Sequence, residues 1–215
     1  MPDESPESPE FPEFPEQATG HTNWARFALF TAPAAVGAAG LLIAMANGAI
    51  AASFAVSGQQ FKISADRLDG TGFAMYGSLD QTVRQEVHPV AVAAIREAEL
   101  QNLCQSVLTE FPVLGSVSMK LTAGSEDRPV EAENLFVDME QMGGDAEFDS
   151  MELGRDASTL DKGPEGGQGM QDLFGMQSDT ISVTGLEQTA WAANAGTFRL
   201  SNLNLAVSRG DSECF

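Results

Sequence analysis

Basic residues are scarce in this chain, histidine and cysteine scarcer still. Against 31 Asp and Glu stand 11 Lys and Arg, two His and two Cys in 215 residues. A net charge of −20 argues against a nucleic-acid binder, because neutralising phosphates takes clustered Lys and Arg. It argues equally against adhesion to an anionic membrane surface. Beyond Val56 the imbalance persists, with 25 acids and 10 bases, which fits a solvated, self-repelling surface. In that part of the chain His88 is the single histidine. Nucleophilic hydrolysis needs a base beside its nucleophile, usually His with an acidic orienter. An ester hydrolase built here would therefore have to use His88, with a serine such as Ser106. No G-x-S-x-G elbow occurs, and Gly210-Asp211-Ser212 matches only the start of another lipase signature. The glycines of 163–169 carry neither a P-loop Lys-Ser/Thr nor a dinucleotide pattern. No catalytic set and no cofactor site is read.

Charge is missing altogether from Phe27 to Val56, thirty residues with Leu41, Leu42 and Ile43 at their centre. A bilayer core about 30 Å thick takes about 20 helical residues to cross. The run reads as a single transmembrane helix, N-terminus inside and the body outside the cytoplasmic membrane. Ala49-Ile50-Ala51 also satisfies the small-x-small rule for signal cleavage, so a body secreted after cutting behind Ala51 is the alternative. Six acids and the lone base Arg26 precede the run, unlike the basic start of a signal peptide. Residues 1–26 contain four Ser/Phe-Pro-Glu tripeptides; proline at every third position and high charge make a disordered acidic tail.

Residues 57–215 have a dominant period of two. Val117-Ser118-Met119-Lys120-Leu121, Ala146-Glu147-Phe148, Ile181-Ser182-Val183 and Leu203-Asn204-Leu205-Ala206-Val207 alternate as half-buried strands do. Phe61, Met75, Met119, Phe148 and Phe198 supply large apolar residues for one face. Between Phe198 and Leu203 the phase slips by one, as at a bulge or corner. The stretch 90–110 fits neither the strand nor the helix period, and is assigned to strands because its neighbours are strands. Ala65-Asp-Arg-Leu68, Ala98-Glu-Leu100 and Ala132-Glu-Asn-Leu135 echo one another at 33–34 residues, a spacing that can mark a solenoid or a repeated sheet layer. The fold class expected is mainly β: an elongated sheet, a solenoid-like β structure or a sandwich. Lys162–Gly169 has no apolar residue and reads as a flexible loop.

Export would bring Cys104 and Cys214 into an oxidising compartment and pair them; two buried free thiols are the alternative. Two cysteines without further N/S ligands do not make a zinc site. Between Glu126 and Glu165 lie thirteen acids and three bases. Alternation places Glu147 and Asp149 on one face, where a hard cation such as calcium could be shared. No EF-hand or calcium repeat accompanies them, and a solvated outer face is the simpler reading.

Several segments together resemble an actinobacterial family of unknown function. They are Ala65-Asp66-Arg67-Leu68-Asp69-Gly70-Thr71-Gly72-Phe73, Leu103-Cys104-Gln105-Ser106-Val107, the run Leu153 to Leu160, Thr189-Ala190-Trp191, Ala195-Gly196-Thr197-Phe198-Arg199-Leu200, and Glu213-Cys214. The resemblance covers roughly residues 22–215. It implies one N-terminal membrane segment, and many members carry an automatic cholesterol-esterase label. It brings no catalytic residues to transfer. It also implies a membrane partner, since the family's genes often lie beside one for a small multi-span membrane protein. The expected function is a non-enzymatic envelope protein that binds lipid or such a partner. A lipid ester hydrolase and a self-assembling surface protein are the alternatives.

Overall fold

The computed structural model of the chain describes residues 55–113 and 115–215. The acidic tail and the expected anchor around Leu41, Leu42 and Ile43 lie outside the described residues. Among the described residues no helix is long and apolar enough to cross a membrane.

Ten strands follow in order: β1 (Ala55–Val56), β2 (Phe61–Thr82), β3 (Val87–Gln101), β4 (Leu103–Phe111), β5 (Gly115–Ala123), β6 (Val130–Asp149), β7 (Glu152–Asp156), β8 (Phe174–Asn194), β9 (Thr197–Arg199) and β10 (Asn204–Arg209). A 3-10 turn, Ala157–Thr159, follows β7. The mainly β expectation holds, and 90–110 is strand throughout except at Asn102. Ala55–Val56, the end of the charge-free run, already belongs to the sheet, paired parallel with β2.

All other pairings are antiparallel. β2 pairs with β3, β3 with β6, β6 with β8, and β8 returns to β2, so four long strands close a ring. Partners run from Tyr76 to Val92, to Asp138 and to Ala192. Two residues on, Ala190 faces Phe61. The circuit thus returns to β2 about fifteen residues from its start, a stagger that tilts four strands steeply and flattens the barrel. β4 prolongs β3 along β2 and carries β5 and then β10 outward as a flange.

The strands must bend to close so small a ring, and they do so along two lines of corners. In the first, Gly72 and Asn134 take positive φ (68° and 51°) on either side of Arg96. In the second, Asn102 and Gly185 (51° and 64°) flank Asp66. Asn tolerates this left-handed region better than other residues with a Cβ, and Gly enters it freely. At Gly72 a Cβ would also lie 2.7 Å from the Lys162 carbonyl oxygen and 3.0 Å from Arg96 Cβ. Each corner reverses the alternation, so that buried residues are three apart across it instead of two. Ala65 and Leu68, Ile95 and Ala98, Leu100 and Leu103, Ala132 and Leu135, and Val183 and Leu186 all straddle corners and all lie in the one core. The 33–34-residue echo is therefore a corner signature on antiparallel neighbours, with Ala98 directly opposite Ala132, and not successive coils of a solenoid.

Of the large apolar residues assigned to one face, Phe61, Met75 and Phe148 pack against this core, whereas Met119 and Phe198 are exposed. Across the sheet, Ala74, Ala94 and Leu160 form a smaller cluster with Tyr76 and Phe136 against it. The loop expected to be flexible is held down beside that cluster. Arg96 Nη2 donates to the Lys162 and Gly163 carbonyls at 2.8 and 3.1 Å, and Gly163 and Gly169 approach Ala74 and Tyr76 too closely to admit a Cβ.

Candidate functional site

The barrel interior is incompletely filled. A cleft of about 110 Å³ is lined from every strand of the ring, by Ile63, Leu68, Ile95, Leu135, Leu186 and their neighbours, with Ala195 and Phe198 contributed by the chain entering β9. No charged residue lines it; its polar residues are Gln105, Gln188 and Asn194. Leu205, Leu121, Gln105, Ile63 and Gln188 stand in one row across β10, β5, β4, β2 and β8. The cleft floor thus continues onto the flange, where Met119, Leu205 and Val207 are exposed.

The opposite face of the flange is closed by the last residues. Cys104 and Cys214 are at disulfide distance, sulfurs 2.02 Å apart. Ser118 Oγ donates to the Gly210 carbonyl and accepts from Ser212 N, and Ser106 Oγ accepts from Cys214 N. Lys62 Nζ donates to Glu213 Oε2 and to the Phe215 carbonyl, both at 2.8 Å. The Gly210-Asp211-Ser212 sequence belongs to this strap.

Ser106 is therefore buried and engaged in holding the strap. His88 lies at the other end of the β2 partnership, opposite Asp80, while Ser106 stands opposite Lys62. Ser106 Oγ is engaged by Cys214 N, and His88 Nε2 has no hydrogen-bond partner among the described residues, so the two are not hydrogen-bonded to each other. His88 stacks on Trp191 with ring centroids 3.9 Å apart. His88 Nε2, Trp191 Nε1 and Asp80 Oδ2 are buried without a hydrogen-bond partner among the described residues. Burial raises the Asp80 carboxyl, opposed by His88. Burial, then the charge of Asp80, pushes Asp138 up to about 6. Tyr76 is pushed up to about 12 by burial and then by Asp138. This group brings together two acids, a histidine and the Tyr76 hydroxyl.

Residues 57–215 match DUF6230, a family of unknown function. The chain belongs to that family. No curated protein and no solved structure matches it.

The DUF6230 domain carries a second concavity, polar and outward-facing, of about 530 Å³. Asp69, Glu99 and Glu131 face one another across β2, β3 and β6, and Glu97 faces Glu133 one step on. Arg199 answers Glu131 and Glu133 at 3.1 and 3.4 Å. Arg67 donates to Asp69 at 2.6 Å and holds that carboxyl below its usual range. Glu147 and Asp149 lie along the same outer surface, opposite Ser182 and Thr180, and Thr180 Oγ1 donates to Asp149 Oδ2. Among the described residues no three His, Cys, Asp or Glu side chains converge as metal ligands.

Sequence reasoning missed the cleft and its amides. Gln188 follows Leu186 by two residues and so shares its face once strand is assumed. Nothing in the linear pattern shows that this face closes into a ring around unfilled space.

Proposed function

We propose that this DUF6230 chain is a non-enzymatic envelope protein of the actinobacterial, membrane-anchored kind its motifs resemble. The charge-free segment holds the β domain on the outer side of the cytoplasmic membrane, and the barrel cleft takes the apolar part of a lipid. A single observation carries the reading: a cleft bounded by aliphatic side chains from all four ring strands, with no charge in its lining. Concave, mostly apolar sites with a few placed polar groups are the usual form of small-molecule sites. The exposed Met119, Leu205 and Val207 support a membrane-facing flange, against the bilayer or a small multi-span membrane protein, because contiguous exposed apolar surface marks interaction sites. The esterase alternative finds no support in the positions of His88 and Ser106.

The test is to isolate the full chain in native membrane patches and identify bound lipid and protein by mass spectrometry. A lipid retained in fixed ratio, and reduced several-fold by Ala195→Trp at the cleft mouth, is the expected result. Isolation with neither lipid nor a membrane protein retained refutes the proposal.

A further inference from the structure

The two ends of the sheet are treated differently by the fold. At one end β7 carries Glu152, Arg155 and Asp156, a positive φ at Gly154 and a register shift around it. Charge and irregularity of this kind keep an edge from pairing with another chain. At the other end lies β10, with no strand on its outer side among the described residues. It has none of these devices. From Leu200 to Ser208 there is no charge, proline or glycine, and all six residues of β10 are exposed. β5 and β10 together hold one Lys, one Arg and no acid, in a chain of net charge −20. Repulsion between two copies is therefore weakest here.

The backbone of this edge is free to pair. Gly210 N donates to the Ser116 carbonyl at 2.8 Å, one step beyond the Arg209–Val117 pair. Bonded pairs recur at every second residue of an antiparallel ladder, so Asn204, Ala206 and Ser208 bond to β5. The N–H and C=O groups of Leu205 and Val207 then point outward. We propose that β10 pairs antiparallel with β10 of a second copy of this chain, about a twofold axis at Ala206. In that register Leu205 lies opposite the partner's Val207 and Val207 opposite the partner's Leu205. Moving the axis to Val207 would instead set Leu205 against the partner's Arg209. Antiparallel pairing within one sheet has its twofold along the sheet normal, so both apolar faces, with Met119, look the same way. Two copies anchored in one membrane can meet like this and present one continuous apolar surface. The pairing is independent of what the barrel cleft holds.

The experiment introduces single cysteines into the full chain in native membrane patches, Cys104 and Cys214 being bonded to each other. Across the axis the two copies of residue 206 have Cα atoms about 4.5 Å apart, within disulfide reach. The two copies of residue 208 lie about 13 Å apart along the strands, beyond it. Mild oxidation of Ala206→Cys should give a dimer on non-reducing gels about tenfold more abundant than that of Ser208→Cys, with the 206 peptide crosslinked to its own copy in mass spectrometry. Adding Val207→Pro removes an outward donor while sparing the bonds to β5, and should cut the Ala206→Cys dimer about tenfold. Absence of a dimer, as when a membrane partner of another kind covers the edge, overturns the proposal. So does equal crosslinking at the two positions, the mark of random collision, or a dimer undiminished by Val207→Pro. The comparison of the two cysteine positions decides alone if the proline variant fails to fold.

Discussion

Asp138 offers a direct measurement of how far the upper barrel tolerates charge. It faces Val92 on β3 and Ala192 on β8. Burial and the neighbouring Asp80 raise its carboxyl from 3.8 to about 6. An acid that holds its proton more tightly when folded favours folding most below its unfolded pKa. That advantage falls as pH rises from about 4 to about 6 and changes no further above. A gap of about two pH units is worth about 2.7 kcal/mol, and partial solvent screening reduces this to about 1–2 kcal/mol. Asp138→Asn keeps the shape and removes the charge. It should stabilise the domain by about 1–2 kcal/mol at pH 7.5 and by nothing measurable at pH 4. Urea unfolding of the detergent-solubilised full chain, wild type against variant at pH 4, 5, 6 and 7.5, reads the difference directly, and other titrating groups largely cancel in it. A variant less stable than wild type at pH 7.5 would refute the reasoning, showing that the ionised carboxylate makes a favourable contact.

Three further outcomes follow from the geometry. Cys214→Ser releases a loop of 110 residues, worth about 4–5 kcal/mol in the chain-entropy model; calorimetry should show Tm lower by about 10 °C or more, with the Ser106 and Ser118 contacts to the strap lost together. Gly72→Ala meets both a positive φ and a carbonyl at 2.7 Å, and should cost about 2–4 kcal/mol in denaturant unfolding, whereas Gly154→Ala, with positive φ but open space around it, should cost about 1 kcal/mol.

The legibility of this fold followed the straight parts of its strands. Ile181 and Val183 alternate inward on β8 as expected, up to the corner at Gly185. Residues 90–110 did not fit either period because Arg96 and Asn102 lie on two different corner lines, so inward residues from Ala93 to Leu103 step by two, three, two and three. The repeated Ala-x-x-Leu of 65–68 and 132–135 held the information, but a three-residue step is legible only once a left-handed residue such as Asn134 is known to lie inside it. The clean alternation of β5 also misleads: buried Ser118 serves the strap, while exposed Met119 lies on the flange. The paired cysteines could be anticipated from their count and the expected export. The cleft could not, since it depends on β2 meeting β8, residues far apart in the chain whose pairing no local pattern encodes.

That last seam governs when the barrel can exist at all. Without β8, a sheet of β2, β3 and β6 would stay unclosed and leave Phe73, Ile95 and Leu135 facing water. Closing it joins residues more than a hundred positions apart, such as Lys62 with Thr189, and contacts so distant in sequence make folding slow. A chain emerging on the outer face of a membrane would then pass through a long-lived intermediate whose open, greasy trough attracts other chains. The surface that becomes the cleft is, during that interval, the part of the molecule most in need of a chaperone.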